Sequence, residues 1–166
     1  MFQANGKWVE HVQRKEIYPS LKKFSSIKYA YTEQYHMGDF PILRLGDIYL
    51  VAAEAALLYN NDKAKAATYV NTLRKRAALS SRQTEMIVNE SDMSINFILA
   101  ERGRELAGEQ WRWYDLKRTG NLSKEYFNVT NPDITEFDPA KHLVRPIPIS
   151  FLNTISNADE FGTNGY

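Results

Sequence analysis

The chain has 166 residues, with 21 Lys+Arg against 20 Asp+Glu, so its net charge is +1. So even a balance gives no electrostatic reason to expect nucleic acid or an anionic membrane surface as the partner. Cysteine is absent, which excludes disulfides, thiolate zinc sites, iron–sulfur clusters and cysteine nucleophiles.

Hydrophobic residues make up 43% and charged residues 25% of the chain, the mix of a globular protein able to bury a core. Aromatic residues, at 13%, are the one enrichment. The longest apolar run, Ile48 to Tyr59, is too short for a membrane span and carries Glu54. The first sixteen residues hold no apolar leader core, and they read as the interior of a longer chain.

Residues 1–41 are polar and aromatic without a 3.6-residue period. Weak alternation at Trp8–Val12 and Lys28–Thr32 fits short strands or a loose hairpin. Pro41 disfavours helix at Phe40. A helix is expected over 43–60, with Leu45, Ile48, Tyr49, Ala52, Ala56 and Tyr59 as its apolar stripe. Asn60-Asn61-Asp62 ends it and caps a second helix over 62–78, striped by Ala66, Val70, Leu73 and Ala77. So short a loop makes the pair an antiparallel hairpin.

Residues 79–91 are turn-like. A third helix is expected over 92–107, capped by Ser91 or Asp92, with Ile95, Ile98, Leu99, Arg102 and Leu106 on one face and Gly108 closing it. A short fourth helix follows from Gln110 to Thr119. Residues 121–166 show no helical period and are rich in proline, so an irregular tail laid over the helices is expected. The organisation is thus a lead-in over 1–41, a helical core over 42–120 and a tail over 121–166, all-α in class.

The hairpin looks like one tetratricopeptide-type unit, but no second copy recurs at a fixed period. One unit cannot bury its own faces as an array does. A tetratricopeptide-like protein-interaction module is therefore the second functional reading.

Three stretches carry a stronger signal. FPILRLGDIYLVAAEAALLY at 40–59 is followed by AATYVNTLRKRAAL at 66–79. ILAERGRELAGEQWRWYDLKRTG occupies 98–120. HLVRPIPISFLNTIS at 142–156 precedes NGY at 164–166. In order and spacing these closely resemble the C-terminal part of the SusD/RagB family. The family's motifs fall on Arg44, Leu45, Asp47, Tyr49 and Leu50, then Ala53, Glu54 and Ala55, then Asn71, Arg74, Arg76 and Ala77. They continue on Glu101, Arg102, Glu105 and Leu106, then Arg112, Trp113, Asp115, Leu116 and Arg118. Pro146, Ile147 and Pro148 and then Asn164, Gly165 and Tyr166 complete them. Gly46 stands where the family usually has Ala.

The resemblance implies a non-enzymatic lipoprotein on the outer face of the outer membrane in Bacteroidetes. Such a protein binds glycans or other nutrients and works with a TonB-dependent transporter, without a cofactor. It also implies a longer protein, with the lipid anchor and most of the ligand site upstream of Arg44.

The residues themselves present a charge cluster of Glu101, Arg102, Arg104, Glu105, Arg112, Asp115 and Arg118. Paired carboxylates could do glycosidase chemistry. The preferred reading is a buried Arg–carboxylate network, because Arg102 falls on the apolar face and must be paired there. Asp47 and Glu54 are its candidate partners, and Glu101–Arg104 and Arg102–Glu105 are spaced as helical ion pairs.

Trp111, Trp113 and Tyr114 could form a sugar-stacking platform, although Trp111 and Tyr114 at i, i+3 fit better as anchors of the short helix. Trp8, Tyr29, Tyr31 and Tyr35 lie in a non-helical segment, where aromatics are better ligand candidates. The three histidines have no metal-ligand spacing.

Overall fold

The computed structural model describes residues 2–4, 7–9, 23 and 41–166. The chain divides into two compact units, Met1–Ile42 and Leu43–Tyr166. In the first, strands β1 (Phe2–Ala4) and β2 (Lys7–Val9) pair antiparallel, with Gln3 opposite Trp8. The alternating stretch at 28–32 lies outside the described residues.

The second unit is helical. Its first helices are α1 (Leu45–Asn60), α2 (Lys63–Ala77), α3 (Ile95–Glu105) and α4 (Arg112–Arg118). Asn61 takes a left-handed conformation, φ 50°, which lets the Asp62 amide close on the Ala56 carbonyl at 3.0 Å. The Asp62 carboxylate then accepts from the Lys65 amide at 2.9 Å and opens α2. This turn makes α1 and α2 antiparallel neighbours, and α3 packs against α1.

Three single-turn 3-10 helices cross between α2 and α3, at Ser80–Arg82, Thr84–Met86 and Glu90–Asp92. Asn71 clamps this segment: its side chain donates to the Val88 carbonyl and accepts from the Val88 amide, each at 2.9 Å. The N-cap of α3 is Ser94, later than expected, because Asn89 and Asp92 cap the last 3-10 turn instead.

The main core joins Leu50 and Ala53 of α1, Ala66, Val70 and Leu73 of α2, Met93, and Ile98 of α3. The buried stripe of α1 is only in part the expected one: Ala56 is buried in the core and Tyr49 packs against it. Leu45 is 69% exposed, Tyr59 is 89% exposed, and Ile48 is also exposed. The buried face runs instead through Gly46, Asp47, Leu50, Ala53 and Glu54. Ranking positions by apolarity fails here because two carboxylates on the inward face find guanidinium partners, which offsets their desolvation. Of the apolar residues left outside, Leu45 and Ile48 lie away from that face, whereas Val51 and Leu58, each four residues after a buried carboxylate, flank it. Ala77, expected on the stripe of α2, is also exposed.

The tail is more ordered than its sequence pattern suggests. It holds α5 (Lys124–Thr130), α6 (Pro139–His142), α7 (Ile149–Leu152) and α8 (Ala158–Phe161). Three of these are single turns, too short to write a 3.6-residue period. Side-chain caps on Ser123 and Asp138 start α5 and α6. A second, smaller core of Leu116, Leu122 and Phe127, flanked by Trp113, Ile134 and Phe137, ties α4 to the tail. Among the described residues, no helix is long and apolar enough to cross a membrane.

Candidate functional site

Two places concentrate the chemistry-bearing residues of the helical unit. The first is the junction of α1, α3 and α4. Arg102 of α3, only 3% exposed, donates to Asp47 of α1 at 2.6 Å and to Asp115 of α4 at 2.7 Å. Arg118 of α4 donates to Asp115 at 2.9 Å and grips both oxygens of Glu54. Glu54 thus reaches Arg118 rather than Arg102. These five side chains tie three helices together, and they line a cavity of about 490 Å³ walled by Val51, Leu58, Trp111 and Tyr114.

A second set of pairs lies at the far ends of α2 and α3. Glu101 takes Arg74 and, at 2.6 Å, Arg104. Glu105 does not pair with Arg102. It accepts from Arg76 at 2.6 Å and from Arg44, which also holds Glu109 at 2.8 Å. Burial pushes the Glu105 carboxyl up, but the hydrogen bonds from Arg76 and Arg44 outweigh it and hold the group below its ordinary value. Their Glu109 and Glu105 partners push the Arg44 guanidinium further up. Arg112 stands apart from the carboxylates. It donates to the Leu99 carbonyl at 2.7 Å and to the Tyr126 hydroxyl at 2.9 Å, with its guanidinium over the Tyr126 ring.

Every carboxylate in the expected cluster is therefore an acceptor in an ion pair. The arrangement can hold helices together, and it presents no free acid beside a free base. Among the described residues, no group of three or more His, Cys, Asp or Glu is placed to hold a metal ion.

The aromatic candidates separate. Tyr114 is 53% exposed and so does not anchor α4, while Trp111, 6.3 Å from it between ring centroids, is half-buried. Trp113 anchors α4 instead, packed against Leu116 of the same helix and Leu122 and Phe127 of the tail. Trp8 lies in β2, and Tyr29, Tyr31 and Tyr35 lie outside the described residues.

The second place is a cleft of about 510 Å³ between α4 and the tail, walled by Trp113, Phe137, His142 and Tyr166. Trp113 is fixed by its indole N–H, which donates to the His142 carbonyl at 3.3 Å. The Arg145 guanidinium lies 4.7 Å and the Lys117 ammonium 4.9 Å from its ring centroids. Phe137 lies 5.6 Å from the His142 ring and meets Phe127 edge-on. His142 accepts the Asp138 amide on Nδ1 at 2.8 Å, which leaves its Nε2 proton to donate. Tyr166 closes the cleft. Its hydroxyl donates to the Lys141 carbonyl at 2.9 Å, and the Asn164 amide donates to the Arg145 carbonyl, also at 2.9 Å. The walls of this cleft come from stretches with no periodicity to relate them.

Comparison with known proteins then decides the family. The model of the SusD family matches residues 3–157. The chain belongs to the SusD family. Among curated relatives, SusD-like protein P2 of Formosa agariphila is 37% identical over 112 residues, 64% of this chain and 22% of that protein. SusD-like protein P25 of the same organism is 34% identical over 139 residues, 79% of this chain and 25% of that protein. This SusD-family chain thus spans about a quarter of the length of the curated relatives it matches. No solved structure matches it significantly.

Proposed function

We propose that this chain is part of a glycan- or nutrient-binding component of an outer-membrane uptake system. The SusD-family match over residues 3–157 carries this reading. The mechanism is capture without chemistry, with the whole protein holding its ligand at the mouth of a TonB-dependent transporter. The protein is anchored by lipid on the extracellular face of the outer membrane. The paired state of Glu101, Glu105 and Asp115 supports a non-catalytic role, since a general acid must carry a proton that it can release. The buried Arg–carboxylate junction then serves as the rigid frame of the helical unit.

Affinity purification from detergent-extracted outer membranes, with an antibody against the helical unit, tests this reading. A large TonB-dependent β-barrel should co-purify, and the captured protein should be retarded in polysaccharide gels without releasing sugar. A preparation that brings down no transporter and binds no polysaccharide would overturn it. So would hydrolysis that is abolished by Glu101→Gln or Asp115→Asn.

A further inference from the structure

The cleft between α4 and the tail has features that the frame of the helices does not require. Its volume of about 510 Å³ lies in the range of small-molecule sites. Its walls are mostly apolar and come from three separate stretches, Trp113 in α4, Phe137 before α6, and Tyr166. Its rim carries both signs. Asp133 and Glu136 offer acceptors, while Arg145 and His142 offer donors.

Resting on the glycan-binding reading above, we propose that this cleft is a subsite for one or two neutral sugar units, with the turn Asn164–Gly165–Tyr166 as its closing wall. It would act in addition to any site built by upstream segments.

Sugar chemistry fits the cleft on two counts. A pyranose ring presents apolar C–H faces to aromatic rings, and its hydroxyls both donate and accept at the edge. A rim with both carboxylates and cationic donors can satisfy such hydroxyls. An anionic ligand fits worse, because the lining carries two carboxylates, Asp133 and Glu136, against the one guanidinium of Arg145.

Lys117 and Arg145 already lie over Trp113, and the Lys141 ammonium lies 5.2 Å from the Tyr166 ring centroid, so the ring surface left to a ligand is the remainder of Tyr166, which is 45% exposed. Tyr166 is brought back to the cleft by positive φ at Asn164 (62°) and Gly165 (83°). Its hydroxyl bond to Lys141 then sets the ring before any ligand arrives. Pre-set walls lower the ordering cost of binding.

Calorimetric titration of the chain tests the proposal. The probes are cellohexaose, maltohexaose, xylohexaose and laminarihexaose, with hexagalacturonate as the acidic comparator. At least one neutral hexasaccharide should bind. Tyr166→Ala should weaken that binding about tenfold or more, equivalent to ~1.4 kcal/mol. Asp133→Ala, on the exposed rim, should also weaken it without changing the melting curve. Tyr166→Phe, which keeps the ring, should lose less than Tyr166→Ala, and Tyr59→Phe, on the exposed end of α1, should lose nothing.

Neutral binding that is unchanged in Tyr166→Ala and Asp133→Ala would overturn the subsite and leave the capture function standing. Binding of hexagalacturonate alone, or of no hexasaccharide, would also overturn it. Transporter co-purification judges the broader reading separately.

Discussion

Arg102 and Asp47, 55 positions apart in sequence, meet at 2.6 Å with both side chains almost wholly buried. The contact joins the start of α1 to the middle of α3, and Asp115 extends it to α4 at 2.7 Å. A buried charge set of this kind contributes little net stability as a unit, yet it penalises loss of one member heavily. Arg102→Met should therefore cost about 3–5 kcal/mol in urea unfolding, because it takes the guanidinium from buried Asp47 and leaves Asp115 with Arg118 alone. The triple variant Arg102→Met, Asp47→Leu, Asp115→Leu should recover much of that loss. A single Arg102→Met variant as stable as wild type would refute the account.

Glu105 makes the helical unit acid-sensitive in a defined window. Its folded-state pKa lies below the ordinary 4.5, held there against burial by Arg76 and Arg44. The stabilisation is thus present in full above the unfolded value and is lost as pH falls through the lowered folded value. Thermal unfolding should show a flat contribution above pH 5 and a decline below 4.5. Glu105→Gln should flatten that decline, while a variant with the same acid slope as wild type would exclude Glu105 as its source.

Asn71 holds Val88 through paired hydrogen bonds, each at 2.9 Å. Asn71→Ala should cost about 1–3 kcal/mol, since the Val88 amide and carbonyl lose their partner while half-buried. Hydrogen exchange should show lost protection at Val88 and its 3-10 neighbours, with α1 protected as before.

Phe127 anchors the smaller core, which shares no buried residue with the main one. Phe127→Ala should cost about 3–5 kcal/mol locally. Limited proteolysis should then cleave within 121–166 and leave a fragment containing α1 to α3. Cleavage throughout would show that the two cores unfold as one.

Val51 and Leu58 form an exposed apolar stripe of α1 beside Asp47 and Glu54, at the edge of the cavity that those carboxylates line. Val51→Lys and Leu58→Lys should change stability by no more than about 0.5 kcal/mol, because neither side chain leaves a core. Both should raise solubility in a precipitation titration, since contiguous exposed apolar surface promotes association. A large loss of melting temperature would mean that the stripe is covered.

Local patterns in the chain were enough to place the four main helices, since α1 to α4 follow from helix-forming runs and breakers that act within a few residues. They also made Arg102 a buried and paired cation, because its neighbours at i−3 and i+4, Leu99 and Leu106, are apolar. The family was legible from ordered motifs, even though each is weak alone.

Tertiary contact decided the rest. Which face of α1 turns inward depended on Arg102 and Arg118, which lie on other helices. By apolarity alone Leu45 and Tyr59 belong inside, and they are outside because Asp47 and Glu54 take that side. Glu105 chose Arg44 and Arg76 over the neighbour three residues back on its own helix, since partners converging from α2 and the start of α1 reach it in space. The cleft at Tyr166 has no local signal of its own. It exists because backbone turns at positive φ return one ring to meet others far away in sequence, and hydropathy periodicity carries no information about such meetings.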